Sequence, residues 1–129
     1  MSKKTILIVG TYDTKDEELE YISDSIVSMG GNVLKMDVSV LGEAKGKTDF
    51  SKHTVAEAAG KSIKTAIESG SEHIAMNIMS EGASNLASTL HSKGKFDGII
   101  LLGGTMGTDL ALDVCKALPL GLPKYVVST

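Results

Sequence analysis

The chain has 129 residues and a net charge of −3, with 42% hydrophobic and only 4% aromatic residues, which fits one compact domain with an aliphatic core. All 13 basic residues are lysines without a basic cluster, which argues against nucleic acid as the main partner. A single cysteine excludes an intrachain disulfide. The apolar run near the N-terminus is too short for a signal peptide or a membrane span, so we expect a cytoplasmic protein that does not bind membranes.

The first predicted element is a buried parallel strand, because residues 5–9 form a continuous apolar run. It ends at the polar turn Gly10-Thr11-Tyr12-Asp13-Thr14-Lys15, and the helix that follows carries apolar residues at spacings of three and four up to Met29. The pair Gly30-Gly31 ends this helix, and residues 32–40 form a second strand. The short joints predict a parallel, right-handed β-α-β unit.

The rest of the chain predicts a second alternation of helices and strands. Residues 41–51 form a loop whose length suggests function or mobility. Helical spacing then extends to His91, interrupted at Gly70 and Gly82, with a break predicted near Gly70. The predicted elements after the loop are, in order, helix 54–60, one or two helices over 62–91, strand 99–102, helix 109–118 and strand 124–129. The chain therefore predicts a Rossmann-like α/β domain over residues 1–129, an open parallel sheet of about four strands in the order 2-1-3-4 with helices on both faces.

This strand order places a topological switch point between strands one and three, where ligands bind in open α/β sheets. The third strand leads into the turn Gly103-Gly104-Thr105-Met106-Gly107-Thr108, which is neither a dinucleotide fingerprint nor a Walker A loop. Glycines at the start of a helix let backbone N–H groups approach an anion. We therefore interpret Gly103, Gly104, Thr105, Gly107 and Thr108 as a phosphate or carboxylate cradle; the alternative is a tight turn without a ligand.

The turn after the first strand, which begins at Gly10, carries more chemistry. Thr11 and Thr14 can donate hydroxyl hydrogen bonds, Lys15 can reach a phosphate, and Asp13 can hold Mg²⁺ through water or a ribose hydroxyl. In the alternative interpretation Asp13 and Thr14 are only helix caps and Lys15 is a solvated charge.

Asp37, near the end of the second strand, is either a ribose-binding acid of the Rossmann type or a solvated strand end. The three histidines share no ligand spacing, so we predict no metal site made of protein ligands alone. Cys115 lies within an apolar helical pattern and is interpreted as a small buried hydrophobic residue.

Several blocks together resemble the tobamovirus-resistance-protein-like (Tm-type) ATP-binding family, most of whose members are uncharacterised. The first turn resembles its G-T-x-D-T-K-x-x-E signature. The second turn, followed by Ala117-Leu118-Pro119-Leu120-Gly121-Leu122-Pro123-Lys124 and Val127-Ser128-Thr129, resembles G-G-S-G-G-T with A-L-P-x-G-x-P-K and V-S-T. The chain departs from the family at Thr105-Met106, where Ser-Gly is usual.

The resemblance implies that the chain is the N-terminal part of a longer two-domain protein and that the two turns bind ATP or a related nucleotide. It implies no reaction. Our first hypothesis is therefore an ATP-binding domain, in which the chemistry of Asp13 suits a place near Mg²⁺. Two alternatives stay open: part of an enzyme that acts on a small phosphorylated or carboxylated metabolite, and a structural or interaction domain without a ligand. The open sheet edge beside the fourth strand predicts a homo-oligomer or packing against a second domain.

Overall fold

The computed structural model describes residues 4–44, 46–103 and 105–128, with the backbone alone at 105–108 and 128. Within these residues the strands are β1 (Thr5–Gly10), β2 (Asn32–Asp37), β3 (Gly98–Gly103) and β4 (Lys124–Ser128). The helices are α1 (Asp16–Ser28), α2 (Lys52–Ala58), α3 (Ile63–Glu68), α4 (Glu72–Ser92) and α5 (Thr105–Ala117).

The strands form one parallel sheet in the order β2-β1-β3-β4, which confirms the predicted 2-1-3-4 order. Ile8 of β1 is level with Lys35 of β2 on one side and with Ile100 of β3 on the other. Because the strands are parallel neighbours, the carboxyl ends of β1 and β3, at Gly10 and Gly103, lie on the same edge of the sheet. Both predicted turns therefore begin at the switch point.

Helices cover both faces of the sheet, as predicted. Alternate residues of a strand point to opposite faces. Ile8 and Leu102 pack with Leu19 of α1 on one face. Leu7, Val9, Ile99 and Leu101 join the larger core cluster on the other face, to which α2, α3, α4 and α5 contribute. Burial of these aliphatic side chains removes apolar area from water, which stabilises the fold.

Two glycines in the predicted helical region play different roles. Gly70 has a φ of 69° and separates α3 from α4, so the predicted break is confirmed. Gly82 does not interrupt α4, which runs from Glu72 to Ser92. It is a close-contact position instead, since a Cβ added there would stand 1.9 Å from the carbonyl oxygen of Val55 in α2. The glycine lets the two helices approach closely.

Two boundaries differ from the prediction by three residues or more. The second strand ends at Asp37 instead of residue 40, because the Asp37 carboxylate accepts hydrogen bonds from Ser39 and folds the chain away from the sheet. The last helix begins at Thr105 instead of residue 109, so the second glycine-rich turn is mostly the first turn of α5. A single residue then joins β3 to α5.

The loop after β2 returns to the sheet before α2 begins. The backbone N–H groups of Asp49 and Phe50 both donate to the carbonyl oxygen of Lys35, and Asp37 N donates to the Phe50 carbonyl oxygen. This short pairing occupies hydrogen-bonding groups along the outer side of β2. Of the helices within the described residues, none combines the length and the apolar character that crossing a bilayer requires.

Candidate functional site

A pocket of about 460 Å³ lies beyond the carboxyl ends of β1 and β2. One wall is the loop after β1, which contributes Thr11, Asp13 and Thr14. A second wall is the loop at residues 38–41, directly after β2. The pocket therefore opens at the carboxyl edge of the sheet, but its described lining follows β1 and β2, whereas the sequence predicts a ligand at the switch point between strands one and three. Its size falls within the range of about 300–1,000 Å³ of small-molecule sites.

The third wall comes from the corner between α3 and α4. Its residues are Ala66, Ile67, Gly70, Ser71, Glu72, Ala75 and Met76. The topology explains why this corner is here. The end of α4 leads to the amino end of β3, so the start of α4 must lie at the opposite, carboxyl edge of the sheet. Ser71 caps α4 by accepting a hydrogen bond from the backbone N–H of Ile74 at 3.3 Å, which fixes where that wall begins.

A buried carboxylate holds the first two walls together. Asp37 is 2% exposed, and its Oδ1 accepts hydrogen bonds from the backbone N–H groups of Tyr12 at 3.2 Å and Ser39 at 2.9 Å. The hydroxyl of Ser39 also donates to Asp37 Oδ1 and accepts from Asp13 N at 3.2 Å. Asp37 thus lies beneath the pocket, where its carboxylate connects the β1 loop to the β2 loop.

A buried lysine holds the far end of the β2 loop. Lys52 is 3% exposed, and its Nζ donates to the carbonyl oxygens of Gly42 at 2.8 Å and Val40 at 3.3 Å. Nζ also pairs with Glu43 Oε1 at 2.8 Å, and this hydrogen bond lowers the pKa of the exposed Glu43 carboxyl. Gly42 N donates to Asp13 Oδ2 at 3.1 Å. The loop at residues 38–43 is therefore fixed from two sides.

The structure brings together only part of the predicted first turn. Thr11, Asp13 and Thr14 line the pocket, and the hydroxyl oxygens of the two threonines are 3.1 Å apart. Neither Asp13 nor Thr14 caps α1: the N-cap residue is Lys15, which makes no side-chain capping bond. Gly10 faces α1, because a Cβ added there would stand 2.7 Å from a Leu19 methyl carbon.

The second predicted turn is described in part. Gly103 ends β3 and is buried. Continuing the β1–β3 register by two residues places it level with Thr11. Gly104 lies outside the described residues, and Thr105, Gly107 and Thr108 are described by their backbone alone, as the first turn of α5. Within the described residues, no three His, Cys, Asp or Glu side chains converge to form a metal site.

Two of the pocket's structural supports were missed by the sequence interpretation. Lys52 was not singled out, because a lysine at the start of a helix is usually solvated and nothing local indicates its burial. At the corner formed by residues 66–76 the sequence pattern predicts only a helix break. The topology could have located this corner, because the last helix before a parallel strand must begin at the carboxyl edge of the sheet.

Cys115 packs against the core, and burial raises the pKa of its thiol, which disfavours the nucleophilic thiolate.

Comparison with known proteins identifies relatives over almost the whole chain. The model of an uncharacterised protein family (UPF0261), N-terminal domain, matches residues 4–129. A UPF0261 protein of Brucella suis is 51% identical over 96% of this chain and 30% of its own length, and one of Clostridium tetani is 40% identical over 100% and 32%. The ToMV resistance protein Tm-1(GCR237) of Solanum lycopersicum is 28% identical over 96% of this chain and 18% of its own length. The chain thus spans about a third of the length of these bacterial relatives.

Proposed function

This chain belongs to the UPF0261 family, whose N-terminal domain it matches, and we propose that it binds a nucleotide, ATP in particular, at the carboxyl edge of its sheet. The observation that carries the proposal is the pocket of about 460 Å³ at that edge, lined by Thr11, Asp13 and Thr14 of the predicted first turn. The resemblance of both turns to the Tm-type ATP-binding family is the reason for proposing ATP as the nucleotide.

The residues at this edge are chemically suited to a nucleotide. Apolar walls accommodate a base, and hydroxyl groups of Thr11 and Thr14 can bond to polar atoms of a sugar or a phosphate. Lys15, one residue before α1, supplies a positive charge, and the helix starts of α1 and α5 supply backbone N–H groups. Asp13, the pocket carboxylate that follows β1, can accept a hydrogen bond from a ribose hydroxyl or, when ATP is bound with Mg²⁺, meet the ion through water.

The test is thermal unfolding of the chain with millimolar ATP, ADP or GTP, each with Mg²⁺. At a ligand concentration about 100 times the dissociation constant, binding adds about 2.7 kcal/mol to the free energy of unfolding, which raises the melting temperature by several degrees. We expect a shift with the adenine nucleotides. No shift with any nucleotide contradicts the proposal.

A matched pair of variants tests whether the positive charge of Lys15 contributes to ATP binding. Lys15→Gln should reduce the shift caused by ATP, because the variant loses the positive charge next to the β1 turn. Lys61→Gln removes a lysine that is exposed between α2 and α3, away from the pocket lining, and should leave the shift unchanged. An equal loss in both variants would indicate a general effect of net charge.

We also propose that the protein is cytoplasmic. We further propose that it forms a homo-oligomer or packs against a second domain. The support for this association is Tyr125 of β4, which is 68% exposed on the face of the sheet that carries α1. An apolar sheet face of this kind is normally covered by another element or chain.

A further inference from the structure

The walls of the pocket are mostly apolar. Val38, Val40 and Leu41 form one side, and Ala66, Ile67 and Ala75 contribute to the other. Such walls suit a flat, weakly polar group better than a hydrated polyanion, because an apolar wall cannot replace the hydrogen bonds that water gives to phosphate oxygens.

The charged side chains of the lining have the wrong sign for phosphate. Among the described lining residues they are Asp13 and Glu72, on different walls, and none of these residues is a lysine or a histidine. Carboxylates repel phosphate oxygens, whereas they accept hydrogen bonds from hydroxyl and amino groups. Asp13 already shows the acceptor role, since its Oδ2 accepts from the backbone N–H of Gly42 at 3.1 Å.

In the described part of the chain, the positive side chains lie outside the pocket lining. Lys15 stands at the start of α1, next to the lining residue Thr14, and does not line the pocket itself. Gly103 ends β3 level with Thr11, so the start of α5 lies on the β3 side of the pocket mouth. A ligand that is neutral at one end and anionic at the other can therefore place its neutral end between the carboxylates and its anionic end towards Lys15.

We propose that this pocket is the nucleoside subsite of the nucleotide site. It takes the base and the ribose, Asp13 and Glu72 accept hydrogen bonds from their hydroxyl or amino groups, and the phosphates extend out of the pocket towards Lys15. This assignment rests on the proposed nucleotide binding, and it makes a separate prediction: most of the binding free energy of the nucleotide comes from its uncharged end.

Isothermal titration calorimetry of the chain with adenosine, ATP and tripolyphosphate tests the assignment. We expect adenosine to bind with a dissociation constant within about tenfold of that of ATP, and to compete with it. Tripolyphosphate should not displace adenosine. If ATP binds and millimolar adenosine neither binds nor competes, the subsite assignment is overturned while nucleotide binding stands. If neither binds, the proposed function fails, and the subsite with it.

Two substitutions distinguish the contribution of the nucleoside from that of the phosphates. Glu72→Gln should weaken the binding of adenosine and of ATP by a similar factor, because the amide is a poorer acceptor than the carboxylate. Lys15→Gln should weaken the binding of ATP and leave the binding of adenosine unchanged. Glu68→Gln, an exposed glutamate of α3 outside the lining, is the control for the removal of a negative charge. Tighter ATP binding in Glu72→Gln with unchanged adenosine binding would show that phosphates face the carboxylates and would overturn the assignment.

Discussion

Asp37, Ser39 and Lys52 are polar and almost fully buried; Ser39 belongs to the pocket lining, and Asp37 and Lys52 lie outside it. Their bonds are to backbone groups of the two loops that form the pocket walls. A buried polar group that loses its partners costs free energy, so each loop is held in the one position that satisfies these groups. Residues of this kind determine the shape of the site without any need to contact a ligand.

Lys52 gives a direct test of this positioning role. Lys52→Met keeps an unbranched side chain one atom shorter and removes the donor to the Val40 and Gly42 carbonyl oxygens. Because hydrogen bonds to charged groups contribute about 1.5–3 kcal/mol, we expect a loss of that size in the free energy of unfolding measured with urea. Lys61→Met, at an exposed position, should change stability by less than about 0.5 kcal/mol. Equal stability of the two variants would contradict the anchoring role.

Tyr12 makes stability depend on alkaline pH. It is 2% exposed, and burial, followed by the nearby charges of Glu20 and Asp37, raises the pKa of its phenol well above its ordinary value. Below the ordinary value of about 10 the phenol is neutral in both states, so its contribution to stability is fully present. Above it, the unfolded chain loses the proton first, and stability is lost as the pH rises.

Tyr12→Phe should therefore be less sensitive to alkali than the natural chain. At about pH 8 the two should differ by no more than about 1 kcal/mol, because the hydroxyl donates only a long bond of 3.4 Å to the carbonyl oxygen of Ile8. Above about pH 10 the difference should shift in favour of the variant by up to about 1.4 kcal/mol per pH unit. The measurement is urea unfolding at several pH values; a constant difference across them would contradict it.

At the scale of the elements, α2 and α4 approach each other closely at Gly82 of α4. At Gly82 an added Cβ would stand 1.9 Å from the Val55 carbonyl oxygen, a backbone atom that cannot move without shifting α2. Gly82→Ala should thus separate the helices and reduce the free energy of unfolding by about 3 kcal/mol or more, although alanine favours helices. Gly46→Ala, where the added Cβ meets nothing within 4 Å, should stay within about 1 kcal/mol of the natural chain. Calorimetric or urea unfolding of both variants measures this, and a stabilised Gly82→Ala would refute the close packing.

The same glycine shows what the sequence reveals about the elements. Strand order, the number of strands and the break at Gly70 were predictable, because apolar period and short joints constrain them locally. The role of Gly82 was not, since it depends on a carbonyl oxygen 27 residues away in the chain. The end of β2 was missed for a different reason: Val38 and Val40 suggest a longer strand, but the Asp37 carboxylate accepts a hydrogen bond from the backbone N–H of Ser39 two residues later, a local turn that competes with the strand pattern.

The site follows the same division between local and distant information. Thr11, Asp13 and Thr14 were predicted as ligand-binding residues and do line the pocket, because the carboxyl end of a central parallel strand has a predictable place in the fold. Their binding role stays a prediction. The buried state of Asp37 and the anchoring by Lys52 could not be read from the sequence, because burial of a charged side chain depends on which loops close over it.

At the scale of the whole molecule, the two faces of the sheet are covered unequally. On one face α5 packs on β3 and β4, and on the other α1 packs on β1 and β2. Ile100 and Tyr125 point to the α1 side, since they are level with each other and alternate with residues of the opposite core. Tyr125 is 68% exposed there. A surface of this kind favours association, and relatives about three times as long have further chain available to cover it.

We expect the isolated chain to self-associate through this face of β3 and β4. Tyr125→Lys places a charge at its centre and should shift the chain towards the monomer, because a lysine at an apolar contact must be desolvated or excluded. Tyr21→Lys is the matched control: Tyr21 is 74% exposed on α1, away from β4. Sedimentation velocity over a series of concentrations should show association of the natural chain and of Tyr21→Lys but not of Tyr125→Lys. Equal association of both variants would place the contact elsewhere, and a natural chain that stays monomeric throughout would leave a second domain as the partner for this face.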